Sequence, residues 1–116
     1  MRVTGEPEPP AAVEPVNAAG CDTGPIERAI CAVFGADGPD AIAIAGCESG
    51  RDTMGRLDGW WASSGSSYGL FQINAIHAGR WPDFWSAWMT ERNIAYAYEI
   101  WSEQGWSPWA CRWAVY

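Results

Sequence analysis

A glutamate follows a run of small and apolar residues at positions 41–50, which read AIAIAGCESG. Glutamate is rarely fully buried unless a partner compensates for its charge. Glu48 therefore either faces water or is held in an apolar cleft. A carboxyl held in apolar surroundings can keep its proton at neutral pH and donate it to a leaving oxygen, which is general acid chemistry.

A second carboxylate is harder to place, because the sequence has no Asp or Glu from Gly59 to Pro82. Asp52 and Asp58 come before that stretch. Asp58 could hold a water for a hydrolytic reaction, and as the residue before Gly59 it also fits a solvated turn. Both interpretations stay open at this point.

Two other chemistries have weaker support. Residues 65–69, GSSYG, match the G-x-S-x-G nucleophile elbow, but that motif needs a large α/β sheet, which a chain of 116 residues without alternating strands does not provide. The single histidine, His77, is expected to be structural or to lie at the edge of a cleft. The cysteines and His77 fit no common zinc spacing, so a zinc site is not expected.

The amino-acid composition indicates the compartment of the protein and the classes of molecule that it can bind. Four cysteines in a small chain favour an oxidising compartment. Acidic residues outnumber basic ones 14 to 7 and there is no lysine, so neither nucleic acid nor an anionic membrane is expected as a partner. No uninterrupted apolar run approaches the ~18 residues needed to cross a bilayer. Most of the nine tryptophans are expected to pack in the core, but tryptophan also stacks on sugar rings.

Proline and glycine mark two helices that would position Glu48. The first is predicted to begin at Pro25 and stop at Gly35, with an apolar stripe of Ile26, Ile30 and Val33 or Phe34. The second is predicted to begin near Pro39 and to end just before Gly50. Glu48 then lies in the last turn of this second helix.

The rest of the chain is predicted to be helical apart from one small β piece. Residues 56–69 are expected to form a hairpin or irregular β segment, residues 70–81 a turn and a short helix, and residues 82–90 another short helix. The strongest helix pattern spans 90–105, with Thr90 as N-cap and Gly105 as stop. Its predicted apolar stripe is Ile94, Ala97, Tyr98 and Trp101.

Residues 1–20 contain four prolines and three glutamates and are predicted to form a disordered tail or linker. They lack the hydrophobic stretch of a secretory signal. Residues 21–116 are then the folded domain, expected to be α+β and mainly α, with a small β hairpin beside the helix that carries Glu48.

Four segments in order carry a resemblance to a known family. They read CESG, SYGLFQIN, NIAYAYEIW and GWSPWAC. In this order they resemble the lysozyme-like domain of soluble lytic transglycosylases and goose-type lysozymes. The compact actinobacterial variant, found in resuscitation-promoting factors and phage wall-degrading proteins, is closer still. The resemblance covers roughly residues 26–111 and implies a lysozyme-like fold.

The resemblance also assigns roles to individual residues. It implies that Glu48 is the catalytic acid and that Ser49 supports the loop or contacts substrate. Asn93 and Ile94 match the start of the long back helix, which is mainly a structural role. Larger family members carry an A-Y-N motif that is absent here, so Tyr98 or a C-terminal tryptophan is expected to fill part of that role. The expected cleft wall, in which Gln72 hydrogen-bonds a sugar, consists of Tyr68, Gly69, Leu70, Phe71 and Gln72.

Disulfide pairing follows in part from the same resemblance. Four cysteines allow three pairings. The resemblance implies a bond between Cys47 and Cys111. Elimination and proximity in sequence then leave a bond between Cys21 and Cys31.

The expected function is cleavage of peptidoglycan glycan strands between N-acetylmuramic acid and N-acetylglucosamine, a reaction for which no metal or organic cofactor is expected. Because the hairpin offers no second carboxylate, substrate assistance and a lytic transglycosylase are favoured. The alternatives are a muramidase and a non-catalytic wall-binding or virion module. The protein is expected to be a monomer that works outside the cell, at the wall or in a phage virion.

Overall fold

The computed structural model describes residues 20–59, 62–86 and 91–116. In these residues the chain is α+β and mainly helical, as the sequence predicts. Except for Gly20, the predicted tail lies outside the described residues. The helices are α1 (Pro25–Phe34), α2 (Gly38–Ser49) and α3 (Glu91–Gln104), the strands are β1 (Ser63–Ser64), β2 (Ser67–Tyr68) and β3 (Ile73–Asn74), and short 3₁₀ helices occupy Gly35–Asp37, Ala75–Arg80, Phe84–Ser86 and Ala110–Ala114.

The predicted bounds of the first two helices are confirmed. Proline stands at the start of both α1 and α2. Gly35 ends α1 with a φ of 59°, a left-handed conformation that glycine adopts without strain. A Cβ at Gly38 would lie 2.5 Å from the Sγ of Cys31, so the glycine allows α2 to pack closely on α1.

Two of the three positions predicted for the stripe of α1 are confirmed, since Ile30 and Phe34 are buried, whereas the alternative Val33 is 42 % exposed. At the first position Ile26 is only half-buried, and its neighbour Glu27 is completely buried. Position 27 therefore belongs to the core face, and a glutamate occupies it.

The stretch Pro25–Ser49 is long enough and apolar enough to cross a membrane by length and composition alone. The 3₁₀ turn Gly35–Asp37 divides it into α1 and α2, which pack on each other. Ile30, Ile44 and Ala45 are completely buried in the core. The apolar character of this stretch is thus explained by two helices that pack in the core of the domain.

A three-stranded antiparallel sheet in the order β1-β2-β3 confirms the predicted hairpin. Tyr68 of β2 pairs with Ser63 on one side and Ile73 on the other. The strand Ile73–Asn74 was not expected, because two residues are too short to show the alternation of a strand. Gly69 and Gln72, with φ values of 79° and 50°, reverse the chain and bring β3 beside β2.

Helix α3 confirms the strongest helix pattern, and its predicted N-cap Thr90 lies outside the described residues. The buried face contains Asn93, Ile94, Tyr96, Ala97 and Ile100. Tyr98 is 40 % exposed, so its place in the apolar stripe is wrong. The core face runs through position 96 instead, and Tyr98 lies at its edge.

Both expected disulfides are present. Cys21–Cys31 fastens the start of the described chain to α1, and Cys47–Cys111 fastens the C-terminal 3₁₀ helix to α2. Trp106 and Trp109 are buried in the core, as expected for most tryptophans. Trp85 and Trp113 are exposed.

Candidate functional site

Glu48 lies half-buried in the last turn of α2, as predicted. Its Oε2 accepts a hydrogen bond from the backbone N–H of Cys111 at 2.9 Å. Among the described residues this is the only hydrogen bond of the carboxyl group. One oxygen is therefore fixed in direction, and the other has no hydrogen-bond partner among the described residues.

The disulfide Cys47–Cys111 maintains this arrangement. It joins the residue before Glu48 to the residue whose amide binds Glu48. The donor is 63 residues away in the chain and is brought to the carboxyl by a covalent bond. The Cys47–Cys111 disulfide thus holds the Cys111 amide next to Glu48 in addition to cross-linking the fold.

Ser49 supports the end of α2. Its hydroxyl donates to the carbonyl of Ala45 at 3.0 Å. Gly59 packs directly on it, since a Cβ at Gly59 would lie 2.1 Å from the Ser49 Oγ. The segment leading into the hairpin therefore rests on the residue next to Glu48, and no side chain fits between them.

The turn between β2 and β3 is held by two buried side chains. The Asn93 Oδ1 accepts from the N–H of Phe71 at 2.8 Å, and its Nδ2 donates to the carbonyl of Tyr68 at 3.0 Å. The Trp109 Nε1 donates to the carbonyl of Phe71 at 2.9 Å. The sequence predicts only a general structural role for Asn93 and does not single out Trp109 among the C-terminal tryptophans, although both lie in the segments that carry the resemblance.

The predicted cleft-wall residues divide by exposure. Gly69, Leu70 and Phe71 are buried, with Leu70 and Phe71 only 1 % and 0 % exposed. Neither of these two residues therefore offers an exposed surface, and the backbone N–H and carbonyl of Phe71 are already bonded to Asn93 and Trp109. Tyr68 and Gln72 are half-buried and so retain exposed side-chain surface.

The side chain of Gln72 hydrogen-bonds within the hairpin. Its Nε2 donates to the carbonyls of Gly69 at 2.9 Å and Ala62 at 3.3 Å. Its amide oxygen has no hydrogen-bond partner in the described part of the chain. The Nε2 group of Gln72 therefore holds the hairpin, and only its amide oxygen remains as an acceptor.

The structure does not bring Tyr98 to the hairpin. The Tyr98 ring packs on Phe34 and Trp101, with centroids 5.3 and 5.7 Å away. The Tyr68 ring contacts Trp85 at 5.5 Å, in an edge-on arrangement. The two tyrosines therefore belong to different aromatic clusters.

A cavity of about 510 Å³ is present, and Glu48 does not line it. Three elements enclose the cavity: α1, α3 and the loop that follows α2. Asp52 and Asp58, both in that loop, line it. Asp58 has no hydrogen bond or ion pair within the described ranges. We place the candidate site at Glu48 because its chemistry and orientation point there, whereas the cavity walls are mostly aliphatic.

The described residues contain no cluster of three or more His, Cys, Asp or Glu side chains that could hold a metal ion. All four cysteines are in disulfides. His77 is half-buried, with its ring centroid 6.3 Å from that of Trp81. Burial, and next the charge of Arg80, lower the pKa of His77, while Glu103 opposes them.

Acidification is expected to weaken the fold through His77. Because its pKa in the folded state lies below the ordinary 6.5, the unfolded chain binds the proton more readily. The free energy of unfolding then falls as the pH drops below about 6.5 and through the folded-state pKa. Urea unfolding at about pH 7.5 and 5.5 measures this loss, and His77→Gln should show a smaller one. Equal losses of unfolding free energy in the wild type and in His77→Gln would show that His77 does not cause the acid sensitivity.

No protein-family model, curated protein or solved structure matches this chain. The central feature of the candidate site is therefore its own geometry: a half-buried carboxyl group at a helix end, which one backbone amide orients and a disulfide supports.

Proposed function

We propose that this chain is a lysozyme-like domain that cleaves peptidoglycan glycan strands between N-acetylmuramic acid and N-acetylglucosamine. The observation that carries the proposal is Glu48, half-buried at the end of α2 and oriented by the Cys111 amide. It is supported by the small sheet that follows α2 and by the turn after Tyr68, which Asn93 holds in place. Cleavage of a glycosidic bond requires a positioned carboxyl group of this kind.

In the first step, protonated Glu48 gives its proton to the glycosidic oxygen as the bond from C1 of the muramic sugar to that oxygen breaks. The N-acetylglucosamine side leaves with a free hydroxyl. The amide hydrogen bond from Cys111 keeps the carboxyl directed at this oxygen throughout. Positive charge develops at C1, and the N-acetyl group of the same sugar can stabilise it by attacking C1.

The second step decides between two enzyme classes. The segment from Gly59 to Pro82, which contains the sheet, has no Asp or Glu that could hold a water. A water held by a second acid is therefore less favoured than the C6 hydroxyl of the same sugar, which is already near C1. The C6 oxygen bonds to C1, displaces the N-acetyl oxygen and gives its proton to ionised Glu48. The product is a 1,6-anhydro muropeptide, and Glu48 is protonated again.

Mass spectrometry of digested, purified peptidoglycan tests this directly. We expect muropeptides that are one water lighter than hydrolysis products, and at least about a hundredfold slower release of them in a parallel digest with Glu48→Gln. Exclusively hydrated reducing ends would instead identify a muramidase, and Asp58→Asn should then abolish activity. No soluble product, together with retained binding to sedimented peptidoglycan, would identify a wall-binding module.

Two further properties follow from the proposal. The partner is a peptidoglycan glycan strand, bound by a protein that acts as a monomer. The working compartment is extracellular, at the wall or in a virion, where two disulfides would persist.

A further inference from the structure

Glu27 on α1 is a completely buried carboxyl group, with 0 % exposure. Its Oε2 accepts a hydrogen bond from the backbone N–H of Leu57 at 2.7 Å. Its Oε1 has no hydrogen-bond partner among the described residues. A buried polar group with one unsatisfied atom costs stability, so its presence calls for an explanation.

The fold makes room for this side chain. A Cβ at Gly24, the N-cap of α1, would lie 2.6 Å from the Glu27 Oε1. Any other residue at position 24 would therefore displace the carboxyl group. The bond to Leu57 joins α1 to a loop 30 residues further along the chain.

That loop is internally closed. Arg51 and Leu57 form an antiparallel bridge at its two ends. The Asp52 carboxylate accepts from the N–H groups of Met54 and Arg56 at 2.8 and 2.9 Å. A loop closed in this way moves as a unit, so a bond at Leu57 fixes where the whole unit lies.

The chain leaves the loop toward Glu48. Leu57 is followed by Asp58 and then by Gly59, which packs on Ser49, the neighbour of Glu48. Glu27 thus acts on the end of α2 through three consecutive residues. It touches neither Glu48 nor the surface, and it is the described hydrogen-bond link between α1 and this segment.

We propose that Glu27 is a positioning residue for the Glu48 site. Its carboxylate holds the amide of Leu57 so that Gly59 stays seated on Ser49 and the carboxyl of Glu48 keeps its direction. The expected effect on kcat rests on the proposed function. The link from Glu27 through Leu57 and Gly59 to Ser49 is independent of that function and can be measured separately.

Two substitutions separate positioning from stability. Glu27→Gln keeps an oxygen that can accept from Leu57, whereas Glu27→Leu removes the acceptor at similar size. The control is a substitution at Ile30, which is buried on the same helix face. Of Ile30→Val and Ile30→Ala, the variant whose Tm is closest to that of Glu27→Leu is used. Should Glu27→Leu fail to fold, Glu27→Asp withdraws the acceptor by one methylene and takes its place.

The assay is kcat and KM on solubilised glycan strands at a temperature where every variant is folded. We expect Glu27→Leu to lose at least about tenfold in kcat with KM nearly unchanged, since small misplacements of a catalytic group are costly. Glu27→Gln should recover most of that loss, and the Ile30 control should keep the wild-type kcat. Wild-type kcat in folded Glu27→Leu would overturn the proposal.

Amide hydrogen exchange gives a readout that needs no activity. Exchange at Leu57, Gly59 and Ser49 should speed up in Glu27→Leu and stay unchanged in the Ile30 control. Unchanged exchange at these amides overturns the proposal. If the wild-type protein cleaves no glycan, the proposed function fails, and faster exchange at these three amides still supports the positioning link.

Discussion

Replacing Glu48 with glutamine is expected to lower the rate of peptidoglycan cleavage by about 10²–10⁴-fold, the contribution typical of a general acid. Glutamine has the same size and keeps an oxygen that can accept from the Cys111 amide. The group therefore stays in place, but it has no acidic proton to give to the leaving oxygen. The initial rate of release of soluble muropeptides from purified peptidoglycan measures the loss.

Two controls make this result specific. Glu103→Gln removes another carboxylate, one that is exposed and paired with Arg80, and it should leave the rate unchanged. Binding of Glu48→Gln to sedimented peptidoglycan should equal that of the wild type, because glutamine has the same size as glutamate and the residues around it are unchanged. A folded Glu48→Gln protein that cleaves at nearly the wild-type rate would disprove the assignment of Glu48 as the acid.

The helices that carry the site could be predicted because proline and glycine act locally. Pro25 and Gly35 bound α1, and Gly50 ends α2 one residue after Ser49, so the place of Glu48 in a last turn follows from sequence. The strand Ile73–Asn74 could not be predicted in this way. Its pairing depends on the reversal at Gly69 and Gln72, and a non-glycine residue with positive φ leaves no clear signal in one sequence.

The contacts that orient the site are the part that sequence patterns miss. The Cys111 amide reaches Glu48 across 63 residues, and Glu27 reaches the Leu57 amide across 30. A single sequence contains no record of which backbone N–H meets which carboxyl. Periodicity also favoured Ile26 over Glu27 for the core face of α1, because a stripe assignment selects apolar side chains and passes over a buried charged one.

Replacing both Cys47 and Cys111 with serine is expected to lower the free energy of unfolding by about 4 kcal/mol, because the disulfide closes a segment with a sequence separation of 64. The bond restricts the unfolded chain, and longer loops gain more from this restriction. Thermal or urea unfolding of the double variant measures the change. The Cys21–Cys31 bond supplies the matched control, since its separation of 10 predicts a smaller loss of about 2.7 kcal/mol.

Activity separates the two disulfides more sharply than stability does. At a temperature where both double variants are folded, the Cys47→Ser/Cys111→Ser protein is expected to cleave peptidoglycan at least about tenfold more slowly than the wild type, because the amide that directs Glu48 is no longer held beside it. The Cys21→Ser/Cys31→Ser protein contains the same chemical change but leaves that amide fastened, so it should keep its activity. Equal activity losses in the two folded variants would show that the Cys47–Cys111 bond stabilises the domain without orienting its acid.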